Sequence, residues 1–307
     1  MKPSFRPVLI ITIAGIIFLS PLKRAEPDSR DRFSSVIWGY FEKLCSFGPR
    51  NPGSAGYREA IQFIKRMGIR FADEVIEHPF EVLQSNGRRV KLVNLEFRFR
   101  GTEEGKPLLI GTHFDTRPFA DEESDPNLHA VPIPGANDGG SGSAVLLGLA
   151  EYLKENRLRR SVHLVFFDGE DLGVKGSGEN LLGSFYYSQQ LETRDPEDWP
   201  FGVIIIDMVG DKDLNIYKET QSLKSGPWLL DVVYHVAKRE GFPQFLEQSK
   251  YTIYDDHYPF FKLGIPSILL IDFDYPYWHT LQDTLDKCSP ESLFAVFAVV
   301  VGALDEI

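Results

Sequence analysis

The chain has few cysteines and fewer basic than acidic residues, and both features exclude classes of function. Cys45 and Cys288 are the only cysteines among 307 residues, which is too few for a disulfide framework or a thiolate zinc site and enough for one bridge at most. The 33 lysines and arginines face 44 acidic residues, and the net charge of −11 argues against binding a nucleic acid backbone. Any metal ion would therefore have to be held by histidine and carboxylate side chains.

Long apolar runs are also scarce, and the clearest one lies near the N-terminus. Residues 8–19 form an unbroken apolar or neutral run with basic residues on both sides. The run is short for a bilayer span but suits the core of a signal peptide. Neither a clear cleavage site nor a cysteine for lipid attachment follows it, so residues 1–25 are interpreted as a signal peptide or a membrane anchor. Either interpretation predicts an exported protein that is periplasmic, secreted or membrane-anchored.

The remainder of the chain is typical of an ordinary globular protein. It contains no repeat and no low-complexity linker, and 43% of all residues are apolar while 25% are charged. We therefore expect residues 30–307 to form a single domain.

The pattern of apolar residues predicts an α/β fold. Four short runs rich in β-branched residues, PLLIGTH, SVHLVFFD, FGVIIID and PSILLID, are of the kind buried in a mostly parallel sheet. Helical stretches around 143–156 and 227–240 separate them, and a hairpin-like region precedes them. We expect a twisted, mostly parallel sheet with helices on both faces. Gly241 is a predicted helix stop, and Ser289-Pro290 a predicted helix start.

In the hairpin-like region, Leu95, Phe97 and Phe99 alternate with charged residues, which predicts a strand with one solvated face. Four histidines are given no functional role. Three of them are interpreted as surface residues, and the fourth as a strand residue that faces a neighbour; they are His78, His129, His235 and His163.

Side chains with acid-base or metal-binding chemistry collect at the C-terminal ends of the buried runs and in the glycine-rich turn GANDGGSG. They are, in chain order, His113, Asp115, Asp138, Glu170, Asp171, Asp207 and His279. A single acid at a strand end is more often a turn or helix-cap residue. Since parallel strands end at the same edge of a sheet, however, these residues should converge there, and caps alone do not explain so many.

A group of two imidazoles and several carboxylates indicates a zinc site. The carboxylates would repel one another without a cation, and zinc accepts nitrogen and oxygen ligands while leaving positions open for catalysis. Asp115 is better placed to orient His113 than to bind the metal. Glu170 directly precedes Asp171 and cannot easily share its metal geometry, so we assign Glu170 the general acid/base role.

Five segments, GTHFDTRP, GANDGGSG, FFDGEDLG, IIIDMVGD and WHT, resemble in this order the zinc aminopeptidase and glutaminyl cyclase superfamily over nearly the whole chain after residue 30. In the aminopeptidase branch the resemblance implies two zinc ions bridged by Asp138. His113 and Asp207 would complete one site, and Asp171 and His279 the other.

The segment YDDHYPFFKLGIPSILLI followed by YPYWHT is closer to the glutaminyl cyclase branch. In that branch the resemblance implies a single zinc. Its ligands would be Asp138, Asp171 and His279.

The same resemblance implies an acid network and a substrate pocket. Glu170, Asp207 and Asp255 would share hydrogen bonds, and Trp278 would line the pocket for glutamine. GANDGGSG is nearer to the aminopeptidase form of the turn, and residues 172–179 lack the tryptophan that animal cyclases carry there, so the pocket should differ from theirs.

The sequence therefore favours a zinc-dependent aminoacyltransferase that converts the N-terminal glutamine of peptides or proteins to pyroglutamate and releases ammonia. One zinc per chain is expected, and two remain open. The alternative is a zinc aminopeptidase that uses one or two ions. The sequence leaves open the pairing of the two cysteines, attachment to a membrane through the N-terminal segment, and the oligomeric state.

Overall fold

The computed structural model describes residues 27–174 and 177–307, so the N-terminal segment interpreted as a signal peptide or anchor lies outside the described residues. Its strands are β1 Glu74–Leu83, β2 Arg89–Phe99, β3 Leu108–His113, β4 Val162–Phe167, β5 Gly202–Asp207, β6 Ile216–Lys218, β7 Phe245–Ser249 and β8 Ser267–Ile271. Its helices are α1 Pro27–Cys45, α2 Ala55–Phe71, α3 Gly142–Glu155, α4 Leu182–Glu192, α5 Ser222–Ser225, α6 Pro227–Glu240, α7 Tyr258–Lys262 and α8 Pro290–Leu304.

Six of these strands form the central sheet, in the order β1-β2-β4-β3-β5-β8. Strands β4, β3, β5 and β8 are parallel to one another, whereas β2 is antiparallel to β1 and β4. His113 pairs with Phe167, and Asp207 pairs with Ile271, so the four parallel strands end at one edge. The predicted α/β single-domain fold with a mostly parallel sheet and helices is confirmed, and the antiparallel part is the expected hairpin region.

The parallel strands are apolar on both sides because each side packs into its own core. In β5, Ile204 faces a large core that also contains apolar residues of α1, α2, α3, α6 and α8. Its neighbour Ile205 faces a smaller core with residues of α4 and α7. Alternate residues of a strand point to opposite faces, so a continuous apolar run is what a sheet covered by helices on both faces requires.

Two helix ends follow the local signals in the sequence. Gly241 ends α6 with a φ of 80°, and its N–H donates to the carbonyls of Ala237 and Lys238. Ser289 caps α8 by accepting a hydrogen bond from the Ser292 N–H, with Pro290 in the first turn.

The expectation of a solvated face on β2 is wrong at Glu96, whose side chain is 0% exposed. Its carboxylate lies 2.7 Å from His78 Nε2 and 3.0 Å from His163 Nδ1, and it accepts a hydrogen bond of 2.7 Å from Arg98 Nε. His78 is therefore half-buried in a polar network instead of free on the surface, while His163 faces a strand neighbour as expected. Leu95, Phe97 and Phe99 are buried as the alternation predicts, but α4 also packs against β2, and its Tyr187 ring contacts His78 edge-on.

Candidate metal and acid-base site

A cavity of about 670 Å³ opens at the edge where the parallel strands end. It is lined by most of the residues singled out from the sequence, namely Asp138, Glu170, Asp171, Asp207, Asp255, Trp278 and His279. His113 and Asp115 are almost fully buried, with 1% and 0% exposure. The structure therefore brings the candidate residues together.

The turn before α3 carries Asp138 into the centre of this group, and glycine makes the turn possible. Gly139 has a φ of 74°, and a Cβ at this position would lie 2.3 Å from the carbonyl oxygen of Asp115. A side chain is therefore excluded by the backbone conformation and by the space. Asp283 fixes the turn from the other side, because its carboxylate accepts hydrogen bonds from the Asn137 and Asp138 N–H groups at 2.8 and 3.1 Å.

Asp138 lies between two imidazoles. His113 Nε2 is 3.2 Å from Asp138 Oδ1 and 3.1 Å from Asp207 Oδ1. On the other side, His279 Nε2 is 3.5 Å from Asp138 Oδ2 and 3.2 Å from Asp171 Oδ1. The two candidate ligand sets, one for each possible ion, therefore share Asp138.

The donor set suits zinc. Ligand atoms of His113, Asp138 and Asp171 lie within 4.8 Å of one another. Three buried atoms of these residues have no hydrogen-bond partner within the described part of the chain: His113 Nδ1, Asp138 Oδ2 and Asp171 Oδ2. Buried polar atoms normally have partners, and zinc accepts both histidine nitrogen and carboxylate oxygen as ligands.

Burial and crowding of like charges change the protonation of the acids. Burial and the neighbouring Asp171 raise the pKa of Glu170 well above its ordinary value. Burial and the charge of Asp207 do the same for the pKa of Asp255. Burial and Asp171 raise the pKa of Asp138 to about 7. A cluster of acids with raised pKa values stays partly protonated at neutral pH unless a cation is bound. Perturbed pKa values of this kind are common at acid-base sites.

The pKa values of the two histidines are raised as well, which favours the charged form of each imidazole. Burial by itself would lower the pKa of His279, but the charge of Asp171 and contacts with Asp121 and Asp138 raise it to about 9. The pKa of His113 is also raised, because Asp207 and the adjacent carboxylates outweigh its burial. The carboxylates thus stabilise the protonated form of each imidazole. The same carboxylates could instead bind a metal ion.

Asp115 holds the turn that carries the acid pair Glu170-Asp171. Its carboxylate accepts hydrogen bonds from the Glu170 N–H at 3.2 Å and from the Asp171 N–H at 3.3 Å. Asp115 Oδ1 is also 3.6 Å from His113 Nδ1, next to the imidazole that it was expected to orient.

Trp278 forms part of the cavity wall and contacts the adjacent candidate ligand. Its half-buried indole stacks on the imidazole of His279, with ring centroids 3.9 Å apart and planes 26° apart. Tyr254 and Phe273, which are 63% and 37% exposed, lie on the same cavity. The cavity therefore combines a few acidic groups with an aromatic wall. This combination is common in binding sites for small molecules.

Several residues that shape the site received no role from the sequence. Arg50 is fully buried, and its guanidinium donates hydrogen bonds to the carbonyls of Phe114 at 2.9 Å and Gly135 at 2.5 Å. It thereby ties together the two loops that carry Asp115 and Asp138. An arginine before Asn-Pro resembles an exposed turn residue in the sequence, so no local signal could have identified it. Arg117 lies within the motif GTHFDTRP. Its place in this motif was the only feature of the sequence that indicated a role for Arg117 at the site.

Two further findings concern questions that the sequence left open, namely cysteine pairing and membrane attachment. Cys45 and Cys288 are both unpaired. Within residues 27–174 and 177–307, no helix combines the length and apolarity needed to cross a membrane.

Comparison with known proteins assigns the chain to a family. The sequence pattern of peptidase family M28 matches residues 94–304. The chain therefore belongs to this family, within the zinc aminopeptidase-like superfamily, and the resemblance of the five segments is confirmed.

Relatives of two kinds are found. The chain is 26% identical to a glutaminyl-peptide cyclotransferase of Boiga irregularis, covering 82% of this chain and 76% of the relative. It is 28% identical to aminopeptidase YwaD of Bacillus subtilis, covering 64% of this chain but only 40% of that protein.

Solved structures similar to this chain also include both cyclases and aminopeptidases. Porphyromonas gingivalis glutaminyl cyclase superimposes with a TM-score of 0.83 and 31% identity, covering 89% of this chain and 98% of that one. A leucine aminopeptidase precursor from Bacteroides thetaiotaomicron also has a TM-score of 0.83, with 27% identity, covering 89% of this chain and 97% of that one. The chain is thus an enzyme of family M28, and its cyclotransferase relatives support an acyltransferase, with a peptidase as the alternative.

Proposed function

We propose that this enzyme is a zinc-dependent glutaminyl-peptide cyclotransferase. Its substrates would be peptides or proteins with an N-terminal glutamine, and its products pyroglutamate and ammonia. The observation that carries the proposal is Asp255, which is 4% exposed and lies in the wall of the cavity that Glu170 and Asp207 also line. A third acid, whose pKa is raised, can stay protonated and donate a hydrogen bond to the amide nitrogen that departs as ammonia, a role that the activation of water does not require.

Asp138, Asp171 and His279 are the proposed zinc ligands. The orphaned oxygen atoms of Asp138 and Asp171, together with His279 Nε2 at 3.2 Å from Asp171, support this set. Zinc bound there would polarise the side-chain carbonyl of the substrate glutamine.

Glu170 moves the proton in the proposed reaction. The α-amine nitrogen attacks the side-chain amide carbon, so that a ring C–N bond forms and the bond to the amide nitrogen breaks. Glu170 accepts the proton that the amine loses and returns it to the departing ammonia. Burial and the neighbouring Asp171 raise the pKa of Glu170, which makes its carboxyl a better proton acceptor than an ordinary surface glutamate.

The remaining groups position the reactants. Asp255 and Asp207 would hold the leaving nitrogen, and the indole of Trp278 would keep the flat amide beside His279. Fixing the amine and the amide carbon in reacting geometry can supply much of the rate acceleration.

A second candidate is a two-ion aminopeptidase. It is favoured by His113, whose Nε2 lies 3.1 Å from Asp207 and 3.2 Å from Asp138, the arrangement that a second zinc would need. Glu170 would then activate water against the first peptide bond.

One assay separates the two candidates. Peptides that differ only in an N-terminal Gln or Leu are incubated with the purified enzyme, and released ammonia and free amino acids are measured. We expect ammonia from the Gln peptide and no free amino acid from either. A Gln peptide with an acetylated α-amine should not react, since the amine is the nucleophile, and a Glu170→Gln sample controls for contaminating enzymes. Free leucine without ammonia would favour the aminopeptidase.

Export remains part of the proposal, as does the division into residues 1–25 and 30–307. It would be tested by determining the N-terminus and the cell fraction of the mature protein. Recovery of the intact chain from the cytoplasm would contradict it.

A further inference from the structure

Arg117 and Asp121 form an ion pair directly beside two of the proposed zinc ligands. Arg117 Nε and Nη2 donate to the two carboxylate oxygens of Asp121, each at 2.7 Å. The side chains are only 6% and 19% exposed. A bidentate pair with both partners shielded from water has a fixed geometry, unlike a typical surface ion pair.

The same pair contacts both neighbouring ligands. Arg117 Nη1 lies 3.3 Å from Asp171 Oδ1, and Asp121 Oδ1 lies 3.4 Å from His279 Nδ1. Each nitrogen of the guanidinium therefore faces a carboxylate oxygen. Arg117 also lines the cavity, but three of its five N–H groups face carboxylates of the protein, which favours a role in holding these carboxylates.

His279 needs support from outside its own loop. Its φ is 55°, a left-handed conformation that is unfavourable for a residue with a side chain. The loop that carries Asp121 provides this support through the backbone as well. The Glu122 N–H donates to the His279 carbonyl at 3.3 Å, and Glu123 Oε1 accepts from the Leu281 N–H at 2.8 Å.

We propose that Arg117 and Asp121 act together as a positioning unit that presents Asp171 and His279 to the metal. A carboxylate at Nδ1 of His279 leaves Nε2 for the ion. In the same way, Arg117 contacts Oδ1 of Asp171 and leaves Oδ2, which has no hydrogen-bond partner in the described chain, for coordination. The inference rests on the proposed function, because it takes these two residues as ligands.

The test measures zinc affinity in full-length variants. Asp121→Ala and Arg117→Ala should each weaken zinc binding by about ten- to a hundredfold, as is typical for residues that orient ligands. Asp121→Asn keeps one acceptor oxygen, and Arg117→Lys keeps the charge, so both should lose less. Zinc affinity is determined by competition with a chelator of known affinity. The control is Asp73→Asn, which removes a carboxylate 3.3 Å from Arg157 outside the cavity and should leave the affinity unchanged.

A merely structural role would give a different result. The urea midpoint of each zinc-free variant reports folding, and the zinc affinity of the folded protein reports positioning. Weakened binding by Asp121→Asn and Arg117→Lys at a wild-type midpoint would support the unit. Wild-type affinity in both of these variants would overturn it, even if their midpoints fell. A wild-type enzyme that binds no zinc would overturn the proposed metal site and this inference with it.

Discussion

Glu170 and Asp171 are adjacent in the chain but are expected to do different work. The Glu170 side chain lines the cavity and has a raised pKa, whereas Asp171 lies 3.2 Å from His279 and 3.3 Å from Arg117. Glu170→Gln should keep zinc and fold but lose turnover by about a hundredfold or more. Asp171→Ala should lose the metal itself. Zinc content by elemental analysis, measured beside the cyclisation rate, checks both; equal zinc loss in the two variants would contradict this division.

Trp278 tests whether the aromatic wall serves binding or packing. Because the indole is only half-buried and stacks on His279, Trp278→Ala should reduce cyclisation strongly. Its loss of stability should stay below the roughly 3–5 kcal/mol of a fully buried tryptophan.

A matched control is Trp228→Ala. Trp228 is 40% exposed and stacks on Phe201 away from the cavity, so its truncation should leave the rate unchanged. Denaturant midpoints and rates are measured on the same samples. Near-normal cyclisation in a strongly destabilised Trp278→Ala variant would make Trp278 a core residue and weaken the cyclase proposal.

At the level of secondary-structure elements, the turn directly before α3 places Asp138 in the site. Gly139→Ala would place a Cβ 2.3 Å from a backbone oxygen at a φ of 74°. We expect it to lower the unfolding midpoint and to weaken zinc binding. Gly87→Ala is the matched control, because Gly87 has a φ of 82° but nothing within 4 Å of the added atom. It should cost only the strain of about 1–2 kcal/mol and leave zinc affinity intact. Equal effects of the two substitutions would show that the contact with Asp115 is unimportant.

Strand β2 contributes a pH-dependent term to stability through Glu96. Burial by itself would raise the pKa of Glu96, but hydrogen bonds from His163, His78 and Arg98 lower it well below its ordinary value. Such a carboxyl stabilises the fold above its unfolded pKa of about 4.3, and this stability is lost as the pH falls towards the folded pKa.

Glu96→Gln should therefore be destabilised most at neutral pH. The difference from the wild type should shrink as the pH falls from about 4.5 to 3, because only the wild type gains a proton at this position on unfolding. Glu81→Gln in β1 is the control; its carboxylate is exposed and paired with Arg89 at 2.7 Å. Urea unfolding at several pH values measures both. A constant difference between wild type and Glu96→Gln over this range would contradict the prediction.

At the scale of the whole molecule, the crowding of acidic groups on one cavity should make the stability of the fold depend on bound metal. A chain with a net charge of −11 places five carboxyl groups of the site on one cavity: Asp138, Glu170, Asp171, Asp207 and Asp255. A ligand present at a thousand times its Kd adds about 4 kcal/mol to stability. Removal of zinc should therefore lower Tm by the order of 10 °C.

The stoichiometry is predicted to be one zinc per chain. Calorimetry with and without a chelator, together with elemental analysis, tests both expectations. Asp171→Ala is the control, since its Tm should not respond to the chelator. Two tightly bound ions that are both needed for activity would move the assignment to the aminopeptidase.

The α/β sheet and the edge of the sheet at which the candidate site residues lie could be predicted from local features of the sequence. The buried runs, the polar residues that follow them and the helix signals at Gly241 and Ser289 are local features, and local features can be recognised without a structure. Parallel strands then bring distant side chains such as Asp207 and His279 to one edge. The motifs in the same sequence were also enough to indicate the zinc aminopeptidase and glutaminyl cyclase superfamily.

The positions of the buried charges and their partners could not be predicted in this way, because they depend on how distant segments pack. Arg50, Glu96 and Arg117 all look solvent-exposed in the sequence, because charged residues usually are. Each is buried with at least one partner from a distant part of the chain, and for Arg117 that partner is Asp171. The cost of burying a charge is met by such partners, and their identity depends on how distant segments pack.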